Sequence, residues 1–185
     1  MITKKNLILV GMMGSGKSTI GAFIAKKINF EFIDIDKEVE KTENMKIREI
    51  FREKGEKYFR KVEEKITIEC LKKKNIVVSF GGGTFLNLKI KKKVLSECIS
   101  FWLNWENDTL INRIINSKNR PKILDLSRND IIEMIKKRAH IYNDANYKID
   151  CEKRSKEQIS DTIVKIYREM SVKKELILAM DKHPE

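Results

Sequence analysis

The sequence predicts an α/β fold, a five-stranded parallel sheet with helices on both faces. Short continuous apolar runs alternate with segments of helical periodicity, and a glycine-rich loop joins the first run to the first helix. The residues best suited to chemistry cluster at the C-terminal ends of the runs. Strands separated by helices need crossover connections and therefore pair in parallel, and such sheets bind ligands beyond their carboxyl ends.

Leu7–Val10 is apolar throughout and stops at Gly11, as a strand buried on both faces does. From Lys17 to Ile28, the residues Ile20, Phe23, Ile24, Ala25 and Ile28 form a helical face. Glu31–Ile35 reads as the second strand, and Lys37 to Lys74 as a helix-rich region broken near Gly55. Ile76–Phe80 is the third strand, closed by Gly81-Gly82-Gly83. A helix over Asn87–Glu97 leads to the fourth strand, Ile99–Leu103, and a helix over Glu106–Asn116. The polar segment Ser117–Leu126 separates this from a helix over Arg128–Asn143. A fifth strand near Tyr147–Cys151 precedes a helix from about Ser155 to Met170, which the last residues extend or from which they fray. No repeat, low-complexity tract or linker divides the chain, so residues 1–185 are expected to form a single domain.

Lys and Arg number 39 against 27 Asp and Glu, a formal charge of +12, but only nine of the cations are Arg. The lysines are spread along the chain, and the densest runs, Lys72–Lys74 and Lys91–Lys93, fall at helix ends or on helix surfaces. A solvated surface accounts for them better than a nucleic-acid stripe. No stretch reaches the roughly 18 apolar residues that cross a membrane. The apolar run at Leu7–Val10 is too short for a signal peptide, so a cytoplasmic protein is expected, with a monomer as the default state. Cys70, Cys98 and Cys151 lie far apart with no C-x-x-C pair, which points to free, buried thiols.

Gly11-Met12-Met13-Gly14-Ser15-Gly16-Lys17-Ser18 satisfies G-x-x-x-x-G-K-[ST] between a strand and a helix. Glycines let successive N–H groups turn around phosphate oxygens, and the helix adds its positive end. Gly14, Ser15, Gly16, Lys17, Ser18 and Thr19 are therefore the expected nucleotide-binding residues, with Lys17 on the β- and γ-phosphates and the Ser18 hydroxyl on Mg²⁺. The loop implies a nucleoside triphosphate without selecting a reaction.

Other segments narrow the choice. Asp34-Ile35-Asp36 closes the second strand; in extended chain the two carboxylates share a side, and read alone either also suits a cap on the following helix. Arg60, within Gly55-Glu56-Lys57-Tyr58-Phe59-Arg60-Lys61-Val62-Glu63, offers a bidentate grip on a carboxylate or an ion pair with Glu56 or Glu64. Gly81, Gly82 and Gly83 fit close backbone approach better than an ordinary turn. Ile76-Val77-Val78-Ser79 lacks the acid that motor-type ATPases carry there. Arg113, Arg120-Pro121, and Arg138 with Tyr142 on one helical face follow.

Together these segments resemble shikimate kinases over roughly residues 5 to 170. The resemblance implies a P-loop kinase fold with strand order 2-3-1-4-5, ATP as co-substrate with Mg²⁺, and transfer of the γ-phosphoryl group to the 3-hydroxyl of shikimate, a step toward chorismate and the aromatic amino acids. It makes Lys17, Asp36 and Arg120 catalytic, with Asp36 as the base, and places Asp34 near the metal beside Ser18. Asp36, Arg60, Gly81, Gly82, Gly83 and Arg138 would hold shikimate, with Phe51 and Phe59 walling the pocket and Ser79 organising the metal's waters. Arg113 would cover adenine, and Arg120 would close from a lid at about 117–127, above a substrate-binding region at about 37–74. Two features depart from the pattern: Lys122 stands where leucine is usual in a lid that is somewhat short, and Cys151–Arg154 lacks the expected proline. Residues 171–185 form an extension the resemblance does not reach. The competing readings are a gluconate or nucleoside-monophosphate kinase, a nucleic-acid-associated P-loop protein, and a nucleotide-binding regulator.

Overall fold

In the computed structural model, which describes residues 5–116 and 127–180 and the side chains of 5–116 and 127–170, the strands are β1 (Leu7–Val10), β2 (Glu31–Asp34), β3 (Ile76–Ser79), β4 (Ile99–Asn104) and β5 (Tyr147–Asp150). They form one sheet in the order β2-β3-β1-β4-β5, and every pairing is parallel. The helices are α1 (Lys17–Ile28), α2 (Ile35–Glu43), α3 (Ile47–Glu53), α4 (Gly55–Cys70), α5 (Leu88–Glu97), α6 (Asn107–Ile115), α7 (Arg128–Tyr142) and α8 (Lys156–Met180). A 3-10 turn covers Thr84–Leu86.

Alternation along each strand divides the core in two. Ile8 and Val10 of β1 face a layer shared with Ile33, Val78, Phe80 and Tyr142, whereas Leu7 and Leu9 face one shared with Ile20, Ile24, Phe101 and Ile163. All of β1 is at most 1% exposed, which explains its uninterrupted apolar run. At about 1.5–3 kcal/mol for each fully buried aliphatic side chain, these contacts make the central strand a rigid floor for the loop that follows it.

The expected elements are present with shifted ends. β2 stops at Asp34, and α2 begins at Ile35 because the Asp34 carboxylate accepts the Lys37 N–H at 3.3 Å and caps the helix. Asp36 is therefore in the first turn of a helix, not in extended chain, and the two-residue alternation argument does not apply to it. The helix-rich region resolves into α2, α3 and α4, with the break at Lys54–Gly55. Ser127 caps α7 through a reciprocal pair with Asp130. The backbone of the last helix continues to Met180, so the chain extends that helix rather than ending it near Met170. Among the described residues no helix is long and apolar enough to cross a membrane.

Register fixes what meets at the sheet's carboxyl edge. Ser79 lies beside Leu9 on one side and Asp34 on the other, so the ends of β1, β2 and β3 deliver the phosphate loop, Asp34 and the glycine run to one place. All three cysteines are free and buried. Burial pushes the Cys70 thiol up, Cys98 to about 11 and Cys151 to about 12, which suits inert core residues.

Candidate active site

A cleft of about 250 Å³ opens at that edge, lined by Lys17, Ser18, Thr19, Asp36, Ser79 and Gly82 among others. On its phosphate side the Lys17 ammonium, 7% exposed, donates to the Gly11 and Met12 carbonyls at 2.9 Å each and to Ser15 Oγ at 3.4 Å. The cation is thus held along the loop it serves. The exposed Ser18 hydroxyl, in the first turn at the positive end of α1, donates to the Asp34 carboxylate. Asp34 therefore caps α2 and at the same time receives the Ser18 hydroxyl. Two adjacent hard oxygen donors fit a small divalent cation that keeps most of its water and arrives with a triphosphate.

On the acceptor side each glycine of the run is faced by a different charge. A methyl group built on Gly81 would lie 2.5 Å from Asp36 Oδ1, one on Gly83 2.6 Å from both terminal nitrogens of Arg60, and one on Gly82 3.4 Å from Arg138 Nη1. The same position on Gly82 is 3.4 Å from the Met13 N–H nitrogen, so the run also abuts the phosphate loop. These glycines serve close approach. Tyr142 donates its hydroxyl to the Gly82 carbonyl, and burial pushes that hydroxyl up to about 12, so it stays protonated. Arg138 also reaches Met12 Sδ at 3.9 Å.

Arg60 is held from below. Its Nη1 donates to Glu63 at 2.6 Å and its Nη2 to Glu56 at 3.4 Å, while the guanidinium carbon lies 5.0 Å from the Phe59 ring centre. Phe59 packs in turn against Phe51, with ring centres 4.6 Å apart and planes tilted by 35°. These rings buttress the arginine. Glu63, only 3% exposed, also accepts from Thr84 at 2.6 Å. It is the partner the sequence reading missed, three residues along the helix from Arg60. Glu64, the alternative considered, turns away to Asn87 at 2.8 Å and Lys89 at 2.9 Å.

Arg113 sits on the exposed side of α6 with its guanidinium 3.8 Å from the Trp105 ring centre and Nη1 3.4 Å from the Gly14 carbonyl. Trp105, for which the sequence carries no signal, donates its indole N–H to the Ser15 carbonyl at 3.0 Å. Within the Cys151–Arg154 segment, Glu152 accepts from Thr109 at 3.0 Å and from the Glu106 N–H at 3.4 Å. Arg120 and the expected lid up to residue 126 lie outside the described residues.

A phosphate cradle, a carboxylate in the same cleft and two arginines gathered on a glycine run are the parts of a P-loop kinase for a small molecule. The family model described as shikimate kinase matches residues 13–168. The chain is 42% identical over 160 residues to the shikimate kinase of Persephonella marina, covering 86% of this chain and 97% of that one. It is 37% identical over 171 residues to the Bacillus subtilis shikimate kinase, covering 88% and 89%. Among solved structures, the shikimate kinase from Acinetobacter baumannii in complex with shikimate superposes with a TM-score of 0.82 at 28% identity, covering 88% of this chain and 92% of that one. The enzyme from Aquifex aeolicus superposes at 0.81 with 32% identity, covering 90% and 98%. This chain belongs to the shikimate kinase family. A deoxyadenosine kinase from M. mycoides, at 18% identity and a TM-score of 0.59, shares the fold alone.

Proposed function

We propose that the chain transfers the γ-phosphoryl group of ATP to the 3-hydroxyl of shikimate, giving shikimate 3-phosphate and ADP. The observation that carries this reading is the glycine run with Asp36, Arg138 and Arg60 each set over one glycine, against the phosphate loop. Arg60 and Arg138 bind the acceptor's carboxylate. The Gly81–Gly83 backbone lets the ring approach, and Asp36 takes the proton of the attacking hydroxyl. A bond forms from that oxygen to the γ-phosphorus as the bond to the ADP oxygen breaks. Lys17 and the loop N–H groups receive the charge on the phosphates.

Ser18 and Asp34 would hold Mg²⁺, with Ser79 beside them; when bound, the ion neutralises charge on the triphosphate. Arg113 covers the base, and Arg120 closes from a lid at about 117–127, excluding water. The protein works as a cytoplasmic monomer, a single kinase domain with an extension after about residue 170, and takes no nucleic acid. Ion pairs such as Lys73–Glu31, Lys89–Glu64, Lys91–Asp144 and Lys93–Glu97 spread its basic charge over the surface, which supports that last point.

The test is ADP formation from MgATP with and without shikimate, with gluconate and nucleoside monophosphates as parallel acceptors. Shikimate-dependent turnover that disappears in Lys17→Ala is expected. Turnover with another acceptor and none with shikimate would keep the kinase and remove the substrate.

A further inference from the structure

We propose that Trp105 is a positioning residue for the phosphate loop: its indole N–H latches the Ser15–Gly16 peptide so that the Gly16 N–H turns into the cleft. The proposal deepens the reading above and rests on its nucleotide site.

Trp105 follows β4 on the connection to α6, half-buried, and packs against both hydrophobic layers. It is anchored by the core rather than by the loop it touches. Its Nε1 donates to the Ser15 carbonyl at 3.0 Å. In a planar trans peptide the C=O and the following N–H point in opposite directions. A Ser15 carbonyl drawn out toward Trp105 therefore sets the Gly16 N–H the other way, and Gly16 lines the cleft while Trp105 does not.

The loop needs such a constraint. Gly14 and Gly16 have φ of 79° and 85°. Glycine occupies positive and negative φ with similar ease, so the freedom that lets the loop wrap a phosphate also lets this peptide rotate the wrong way. Fixing it before the ligand arrives removes an ordering cost from binding. A second contact reinforces the first. The Arg113 guanidinium lies over the same indole, 3.8 Å from its centre, and its Nη1 reaches the Gly14 carbonyl at 3.4 Å. One side chain from the β4–α6 connection thus sets two consecutive loop peptides, one directly and one through Arg113.

The experiment is calorimetric titration with MgATP and with magnesium tripolyphosphate, which lacks the base, both without acceptor. Trp105→Phe keeps a ring under Arg113 and removes the donor. It should weaken both ligands about fivefold and leave the shikimate KM within about twofold of wild type. Unchanged tripolyphosphate affinity in Trp105→Phe overturns the latch. So does a loss confined to MgATP, because that places the role of Trp105 at the base through Arg113. Should Trp105→Phe unfold, the wild-type protein still decides: its Trp105 indole proton should be protected from exchange and shift on adding tripolyphosphate, and exchange at the solvent rate overturns the proposal. Absence of shikimate-dependent turnover in the wild type would remove the substrate without touching the latch, since the titrations need no acceptor.

Discussion

The phosphate side and the acceptor side of this cleft are built by opposite strategies. The first is one stretch, Gly11–Thr19, in which main-chain groups would do most of the binding and geometry follows from where the glycines stand. The second is gathered from α2, α4, the glycine run after β3, and α7, and works through side-chain charges held by neighbours. A backbone site tolerates drift in its surroundings and is carried by a short motif. A side-chain site depends on every element that aims it, so its weak points lie outside the residues that touch the acceptor.

The largest expected effect separates chemistry from binding. Asp36→Asn should lower kcat about a thousandfold, the loss of a general base, with MgATP affinity within about twofold of wild type; equal loss of MgATP affinity would show that the halves are not separable. Next, Arg60→Ala should raise the shikimate KM about a hundredfold, since it removes a hydrogen-bonded cation and strands buried Glu63. Unchanged shikimate affinity there would remove the acceptor-site assignment. Gly83→Ala is sharper still, because its methyl group would meet only the end of the Arg60 side chain at 2.6 Å. It should raise the shikimate KM about tenfold by misaiming that guanidinium, with the unfolding temperature unchanged. A fall in stability with normal kinetics would make the glycine a folding requirement.

The smallest effect concerns the core beneath both halves. Burial holds Cys98 at about 11 and Cys151 at about 12, above the ordinary 9.0. The folded state keeps thiol protons that the unfolded chain gives up, so this contribution is complete below about pH 9 and lost as the pH climbs through the folded values. Urea midpoints between about pH 8 and pH 10.5 should fall in the wild type and fall less in Cys98→Ala; parallel profiles would show that the thiol does not matter.

The contrast also explains what could be read early. The phosphate loop was legible because its chemistry is local: a strand, fixed glycine spacing, a lysine and a helix are adjacent in sequence. Asp36, Arg60, Gly81–Gly83 and Arg138 were singled out by resemblance, and the structure brings all of them to one cleft edge. The reason offered for Asp36 was wrong, since the helix begins one residue after Asp34 and a capping carboxylate decides where. Glu63 was passed over because three candidate acids lie within a turn of Arg60, and spacing cannot say which one the fold buries. Trp105 was invisible, since nothing in a lone tryptophan after a strand says that its N–H reaches a loop ninety residues earlier.

By itself, then, the sequence determined the alternation of strands and helices, the phosphate-binding loop and the set of charged residues available to an acceptor. Each depends on short-range periodicity or on chemistry carried by adjacent residues. Only the tertiary structure decided which charge stands over which glycine, which acid neutralises Arg60 and what holds the loop's peptides in place. Those outcomes depend on sheet register and helix packing, where a shift of one residue turns a side chain to the opposite face.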